Sequence, residues 1–227
     1  MAQGQGHSVD EYLETIYFLA FPIGEYRPDP NSSSAIASRV AEMLGVSRAS
    51  AGEMLKRLEA DGLVERGEHK EAILTDTGIE RAERVVRKHR IVERMLTDFM
   101  GYSAAEAHVH ADELDIPDEM VERIDERLGN PDRCPHGWPV DPAFEQEENK
   151  SLSPLADLEV GRNAEIVRLA EHDGDLLHWF YDEGFTPGAH VVIREAQPAA
   201  GQFKVLLAGN ERAIGEKAAA GLYVRPS

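Results

Sequence analysis

Cysteine is almost absent from this sequence: Cys134 stands alone among 227 residues. A lone thiol forms no internal disulfide, so the chain reads as one suited to a reducing, cytoplasmic setting. No apolar run approaches the roughly 18 residues that would cross a bilayer. The opening stretch MAQGQGHSVDEYLETIY also lacks the basic flank and apolar core of a secretion signal, so no membrane is expected. Catalytic signatures are missing too. There is no GxSxG, no HExxH and no phosphate-cradling glycine loop, which leaves an enzyme reading unsupported. Bases are scarce, with 24 Lys and Arg against 42 Asp and Glu and a net charge of −18. That balance excludes a generically basic nucleic-acid binder. The deficit is uneven, however. Residues 1–100 carry 17 acids and 13 bases, whereas 101–227 carry 25 and 11. A nearly neutral head, with a basic cluster at Arg81, Arg84, Arg87, Lys88 and Arg90, can still approach DNA.

What is present is organised. Residues 8–20 read as a helix, with Ser8 as cap, Glu11 three residues on as in a capping box, and Tyr12, Ile16 and Leu19 on one stripe. Turn formers fill 21–33. A second helix is expected over 34–44, then the tight turn Gly45-Val46-Ser47, then a third helix burying Ala51, Met54, Leu55 and Leu58 and stopping at Gly62. Two strand-like runs, 63–66 and 72–75, flank the polar turn GEHKE. Helix, turn, helix and hairpin in this order form a winged helix-turn-helix. Ser47, Arg48, Ser50, Glu53, Lys56 and Arg57 fall away from the apolar stripe of the third helix and are the candidate contacts to double-stranded DNA.

Residues 77–100 read as one long amphipathic helix, followed by helices over 104–114 and 118–128. Their apolar positions, Val85, Val86, Ile91, Met95, Leu96, Val121, Ile124 and Leu128, exceed what one thin layer can hide, and a homodimer is the economical explanation. The segment 129–153 is rich in Pro, Gly and acid and reads as a linker. Beyond it, 164–168, 190–196, 201–207 and 222–225 alternate like strands around one helix, 175–183, as in a small β-barrel.

Histidines and carboxylates recur at helical spacing. His89 and Glu93 lie at i and i+4, and His108, Asp112 and Asp115 at i, i+4 and i+7. Imidazoles and carboxylates converging from two helices suit borderline divalent metals such as Mn, Fe, Co, Ni or Zn. Glu11 and Glu14, spaced i and i+3, are placed to add carboxylates from the opening helix. A metal joining that helix to the long ones would set the spacing of the recognition helices. The remaining histidines, His136 included, read as non-ligands.

The stretches EYLETIY, GVSRASAGEMLKRLEADGLV and RKHRIVERMLTDFMG, then the HG-x-P of His136 to Pro139 and the β tail, resemble the diphtheria toxin repressor and manganese transport regulator family over nearly the whole chain. The resemblance implies a mainly α protein with a small β part: a winged-helix DNA-binding domain (1–75), a helical dimerisation and metal-binding domain (76–145), and a linker plus an SH3-like β-barrel (146–227). It implies a homodimeric repressor that binds operator DNA when loaded with Mn(II) or Fe(II), and not an enzyme. His89, Glu93 and His108 match the family's ancillary metal site. In longer members an SH3-domain side chain completes that site; the candidates here are Glu171, His172, Asp173 and Asp175, and Asp173 is taken. Glu11, Glu14, Asp112 and Asp115 match the primary site. Where that site normally ends in a histidine this chain has Ile116, which makes it all-oxygen and harder. The competing expectation is a metal-independent winged-helix regulator or adaptor that has lost its sensing site.

Overall fold

The structure, a computed structural model, describes residues 7–20, 36–67, 72–171 and 173–227. The loop 21–33, the first residues of the expected second helix and most of the GEHKE turn lie outside the described residues. The chain divides into two compact units, Met1–Val86 and Arg87–Ser227.

The first unit holds α1 (Val9–Ala20), α2 (Ile36–Met43), α3 (Arg48–Ala60), β1 (Val64–Arg66), β2 (Ala72–Leu74) and the start of α4 (Asp76–Asp98). Ser8 and Glu11 form the expected capping box. The Ser8 N–H donates to the Glu11 carboxylate at 2.5 Å, and the Glu11 N–H donates to Ser8 Oγ at 3.2 Å. Ser47 caps α3, accepting from the Ser50 N–H at 3.0 Å. Gly62, with φ +71°, ends that helix and turns the chain into the wing. β1 and β2 pair antiparallel, Val64 opposite Leu74. Leu13, Ile16, Val40, Leu55, Leu58, Leu74 and Val86 make one buried core, so the apolar faces read from periodicity are the packed ones.

In the second unit α4 continues, followed by α5 (Ala104–Glu113), α6 (Asp118–Leu128) and the short α7 (Glu145–Asn149). Next come β3 (Ser153–Pro154), β4 (Asn163–Leu169), α8 (Gly174–Glu183), β5 (His190–Gln197), β6 (Gln202–Leu207), β7 (Asn210–Gly215), α9 (Glu216–Ala220) and β8 (Leu222–Pro226). The six strands form one antiparallel sheet in the order β3-β8-β4-β5-β6-β7. Its core, with Ile166, Leu177, Phe180, Phe185, Ile193 and Val205, is separate from a helical core of Ile91, Val92, Leu96, Ala107, Val121 and Val140.

Three expectations are corrected here. The apolar residues taken to demand a partner are largely spent within the chain: Val86, Ile91, Leu96 and Val121 are buried in its own cores. The apolar side chains left exposed in the helical region are others, Phe99, Met100, Val109 and Met120 among them. Asp115 does not continue the face of α5. The helix ends at Glu113, with Leu114 extended, because the chain must straighten toward Pro117.

The third correction concerns the supposed linker, which is a packed strap. Trp138 is fully buried and donates from Nε1 to the Leu169 carbonyl at 2.9 Å. The Arg90 and Arg168 guanidinium carbons lie 5.5 and 4.7 Å from its ring centre. Arg90 in turn holds Glu145 at the start of α7, and Arg133 and Arg168 hold Glu148 within it. Composition alone reads as a linker; one Trp and these three ion pairs order it.

Candidate functional site

Within the second unit, side chains from α4, α5, the strap and the residue pair after β4 converge. Glu93 is the centre. It is fully buried, and its Oε1 lies 2.7 Å from His108 Nδ1, 3.0 Å from His89 Nε2 and 3.3 Å from His136 Nδ1. His89 and Glu93 face together because they are one helical turn apart on α4, and α5 brings His108 opposite them, 3.2 Å from His89 Nε2. Asp112, one turn beyond His108, lies 2.9 Å from His89 Nδ1. That contact orients the ring and leaves Nε2 toward Glu93.

The strap supplies a second half. Cys134, Pro135, His136 and Gly137 form a tight turn in which the Gly137 N–H donates to the Cys134 carbonyl at 3.0 Å. His136 Nε2 lies 3.0 Å from the Ala104 carbonyl, which fixes it as the protonated nitrogen and aims Nδ1 at the site. Cys134 Sγ is 3.8 Å and Glu171 Oε2 is 3.4 Å from that Nδ1. Gly137 adopts φ +88°, and a Cβ there would lie 2.0 Å from the Val167 carbonyl oxygen. Gly137→Ala is therefore expected to cost roughly 1–3 kcal/mol in urea unfolding, and to displace the Cys134 and His136 side chains.

The electrostatics follow from packing charges in a dry place. Burial alone would raise the Glu93 carboxyl, but His136 and His89 beside it hold it well below the usual carboxylate range. Burial likewise opposes a charged His136, yet Glu93 pushes its imidazole well above the ordinary value. Burial, reinforced by Glu93, pushes the Cys134 thiol up. Burial would raise Asp112 as well, but its contact with His89 keeps it low.

These residues fit a divalent ion. Among the described residues of this unit, Glu93, Cys134, His136 and Glu171 form one set of donors within 4.8 Å of one another, and His89, Glu93 and His108 form another. Carboxylate, imidazole and thiol are the donors borderline metals take, and Glu93 Oε2 is buried with no hydrogen-bond partner.

The other candidates are placed differently. Asp173 does not join the cluster. It caps α8, accepting from the Leu176 N–H at 3.0 Å and pairing with Lys217. Glu171, two residues earlier, is the side chain that reaches His136; His172 lies outside the described residues. His136, read as a non-ligand, is central, and Cys134 belongs beside it. A Cys-x-His pair in a Pro- and Gly-bounded turn was the signal available. Asp115 is exposed beside Lys88 at 3.5 Å, and Ile116 is buried in the helical core. In the first unit the Glu11 carboxylate is engaged by Ser8 and by His7 Nδ1 at 2.8 Å. Burial would raise its pKa, but those hydrogen bonds hold it low. Glu14 is half-buried on α1. Ser47, Arg48, Ser50, Glu53, Lys56 and Arg57 are all exposed on α3.

Comparison with known proteins agrees with this division of labour. The N-terminal DNA-binding domain of iron-dependent repressors matches residues 6–72. The metal-binding and dimerisation domain of the same repressors matches 75–141, and the FeoA domain 153–226. The diphtheria toxin repressor of Corynebacterium glutamicum is 31% identical over 173 residues, 72% of each chain. The iron-dependent repressor IdeR of Mycobacterium leprae is 29% identical over 218 residues, 90% of each. A solved manganese-dependent transcriptional repressor in complex with manganese has a TM-score of 0.83, 28% identity, and covers 97% of this chain and 100% of its own.

A winged-helix head, a helical domain holding buried His, Cys and Glu donors and an SH3-like β domain together define a metal-dependent DNA-binding repressor, not an enzyme. The chain belongs to the iron-dependent repressor family, alongside the diphtheria toxin repressor.

Proposed function

We propose that the chain is a homodimeric repressor, activated by Mn(II) or Fe(II), that binds double-stranded operator DNA in front of metal-uptake genes. The observation that carries this reading is the convergence of Cys134, His136 and Glu171 with His89, Glu93 and His108 around one buried carboxylate. The regulatory ion is assigned to this cluster, since Ile116 offers no donor where a histidine would complete the all-oxygen set of Glu11, Glu14, Asp112 and Asp115. Thiolate and imidazole beside carboxylates make the cluster intermediate in softness, within reach of both ions and better suited to Fe(II). Both ions have precedent among the relatives, one named for iron and one solved with manganese. We divide the chain into a head to about residue 75, a helical part to about 145 and the β tail, a reading supported by the matched segments 6–72, 75–141 and 153–226. Exposed Phe99, Met100, Val109 and Met120 support a second copy as partner of the helical part.

Helix α4 carries both Val86 of the head core and the ligands His89 and Glu93. An ion that fixes the far part of this helix thus acts on the element that bears the head. On α3, Arg48, Lys56 and Arg57 are the phosphate or guanine contacts, with Ser47 and Ser50 on the backbone and Glu53 able to accept from cytosine.

Anisotropy of labelled DNA from the region upstream of the chain's own gene tests the reading at fixed ionic strength. Mn(II) or Fe(II) is expected to tighten binding at least about tenfold, or about 1.4 kcal/mol of coupling. Equal binding in chelator would reject it. In the same assay Lys56→Ala should weaken all sequences alike and lower the salt slope by about one.

Metal affinity should also depend on pH with a definite sign. The Cys134 thiol and the His136 imidazole both have raised pKa values, so both hold protons at neutral pH. A metal must displace those protons, so affinity rises as pH rises and proton release accompanies binding. Calorimetry in buffers of different ionisation enthalpy counts them; no proton release would contradict ligation by these two groups.

A further inference from the structure

We propose that a cavity of the second unit, formed by the strap, the end of α6, α7 and β8, binds a small organic cation: an aliphatic chain carrying two amino groups. The cavity has a volume of about 750 Å³, within the range of about 300–1,000 Å³ typical of small-molecule sites. None of its lining residues belongs to the metal-donor sets. The strap doubles back along it, with Arg133 paired to Pro139 and the Val140 N–H donating to the Asp132 carbonyl at 2.9 Å. This turn sets Asp132 opposite Val140, the neighbour of Asp141, so two carboxylates come to one side of the cavity from positions nine residues apart.

Charge selects the ligand. The lining carries three guanidinium groups, those of Arg87, Arg133 and Arg225, against five carboxylates. All three cations are already held. Arg87 donates to Glu122 at 2.7 Å and to Asp125 at 2.6 Å, Arg133 pairs with Glu148, and Arg225 reaches Glu148 at 3.1 Å. The carboxylates are not matched in return. Asp125 is 7% exposed, and its Oδ1 is buried without a hydrogen-bond partner, a costly state for an acceptor. Asp132 and Asp141 are exposed, and among the described residues no basic side chain pairs with either; Asp141 accepts from the Ala143 N–H at 3.0 Å. An anionic ligand would meet occupied arginines and surplus carboxylates, whereas a cation is complementary to the lining. The rest of the wall favours an organic cation over a bare metal ion. Pro131, Pro139, Val140 and Phe144 supply its apolar part, and Phe144 is 65% exposed. A methylene stem packs on such surface while its charged ends reach carboxylates, and an aromatic face attracts an ammonium group. A hard divalent ion would instead want about six to eight oxygen ligands.

Calorimetric titration of the metal-free full-length chain with 1,4-diaminobutane, at fixed ionic strength, tests the site independently of the metal reading. Saturable binding of one molecule per chain is expected, with none for the neutral 1,4-butanediol. Replacing both acids, Asp132→Asn with Asp141→Asn, should weaken binding at least about tenfold. Asparagine caps a helix as aspartate does, so this variant keeps the turn at Ala143. Phe144→Ala should weaken binding about two- to fivefold, the factor of one exposed cation–π contact. Glu119→Gln, an exposed acid of α6 outside the cavity, should leave it unchanged. Binding that does not saturate, or that Glu119→Gln weakens as much as the paired substitution does, would mean general attraction to a chain of net charge −18 and would overturn the site. Equal binding of the diol would overturn it by removing charge as its basis. Magnesium that binds as tightly and is lost in the same paired variant would replace the organic cation with a metal ion, and the proposal would fail.

Discussion

With His136 replaced by alanine, operator binding in metal should fall to its level in chelator. The full coupling is then lost, a factor in the range of about 5–150 typical of linked sites. The reason lies in what His136 joins. Its ring is fully buried, tied to α5 through the Ala104 carbonyl, and its Nδ1 lies between Glu93 on α4 and Glu171 beyond β4. Removing it deletes one ligand and leaves two buried carboxylates without the cation that offsets them. Affinity in chelator should hardly change, because the exposed side chains of α3 are untouched. Metal stimulation within twofold of the unaltered chain would remove His136 from the site.

Trp138→Ala should destabilise the fold more than any single change in the helical face, by about 3–5 kcal/mol in urea unfolding. The ring is completely buried, sits edge-on to Tyr223 with centroids 5.9 Å apart, and lies between the Arg90 and Arg168 guanidinium groups. Its loss opens a cavity and exposes the Leu169 carbonyl, which the indole N–H satisfies. Because the strap also carries Cys134 and His136, metal affinity should fall with stability. Trp138→Phe separates the two contributions: it keeps most of the volume and leaves mainly the unsatisfied carbonyl, about 1–3 kcal/mol. A cost below about 1 kcal/mol for the alanine variant would mean that the strap is not held by this residue.

Local chemistry made most of the fold legible. The helix–turn–helix, its caps at Ser8 and Ser47 and its stop at Gly62 are written in spacings of three and four residues, and the structure repeats them. Strands β4, β5 and β6 are readable from their alternation, and β8 more weakly. Strand β7 escapes the pattern because Asn210, Glu211 and Arg212 are polar and only Ile214 is buried. The strap was misread for a related reason. Its order comes from Arg90 and Arg168, residues outside it in the chain that hold its Glu145 and Glu148, and no local pattern records such partners.

The site divides along the same line. His89, Glu93 and His108 were recoverable because helical periodicity puts them on facing surfaces. Between Glu171 and Asp173 the sequence does not decide, since the register from the end of β4 to the cap of α8 sets which side chain turns inward. His136 and Cys134 depend on a turn whose position over α5 is a tertiary fact. Asp115 lies beyond the end of α5, so the helical period does not carry to it.

The most direct test of the central claim is reciprocity. If metal binding and DNA binding are one coupled equilibrium, operator DNA must raise the affinity for metal by the same factor by which metal raises the affinity for DNA. Titrating Mn(II) or Fe(II) into the chain with and without saturating operator DNA, at one salt concentration, measures that factor. Tightening of at least about tenfold is expected, equal to the factor that anisotropy should give for metal on DNA binding. Metal affinity unchanged by operator DNA would contradict it and leave a DNA-binding protein whose metal plays no regulatory part.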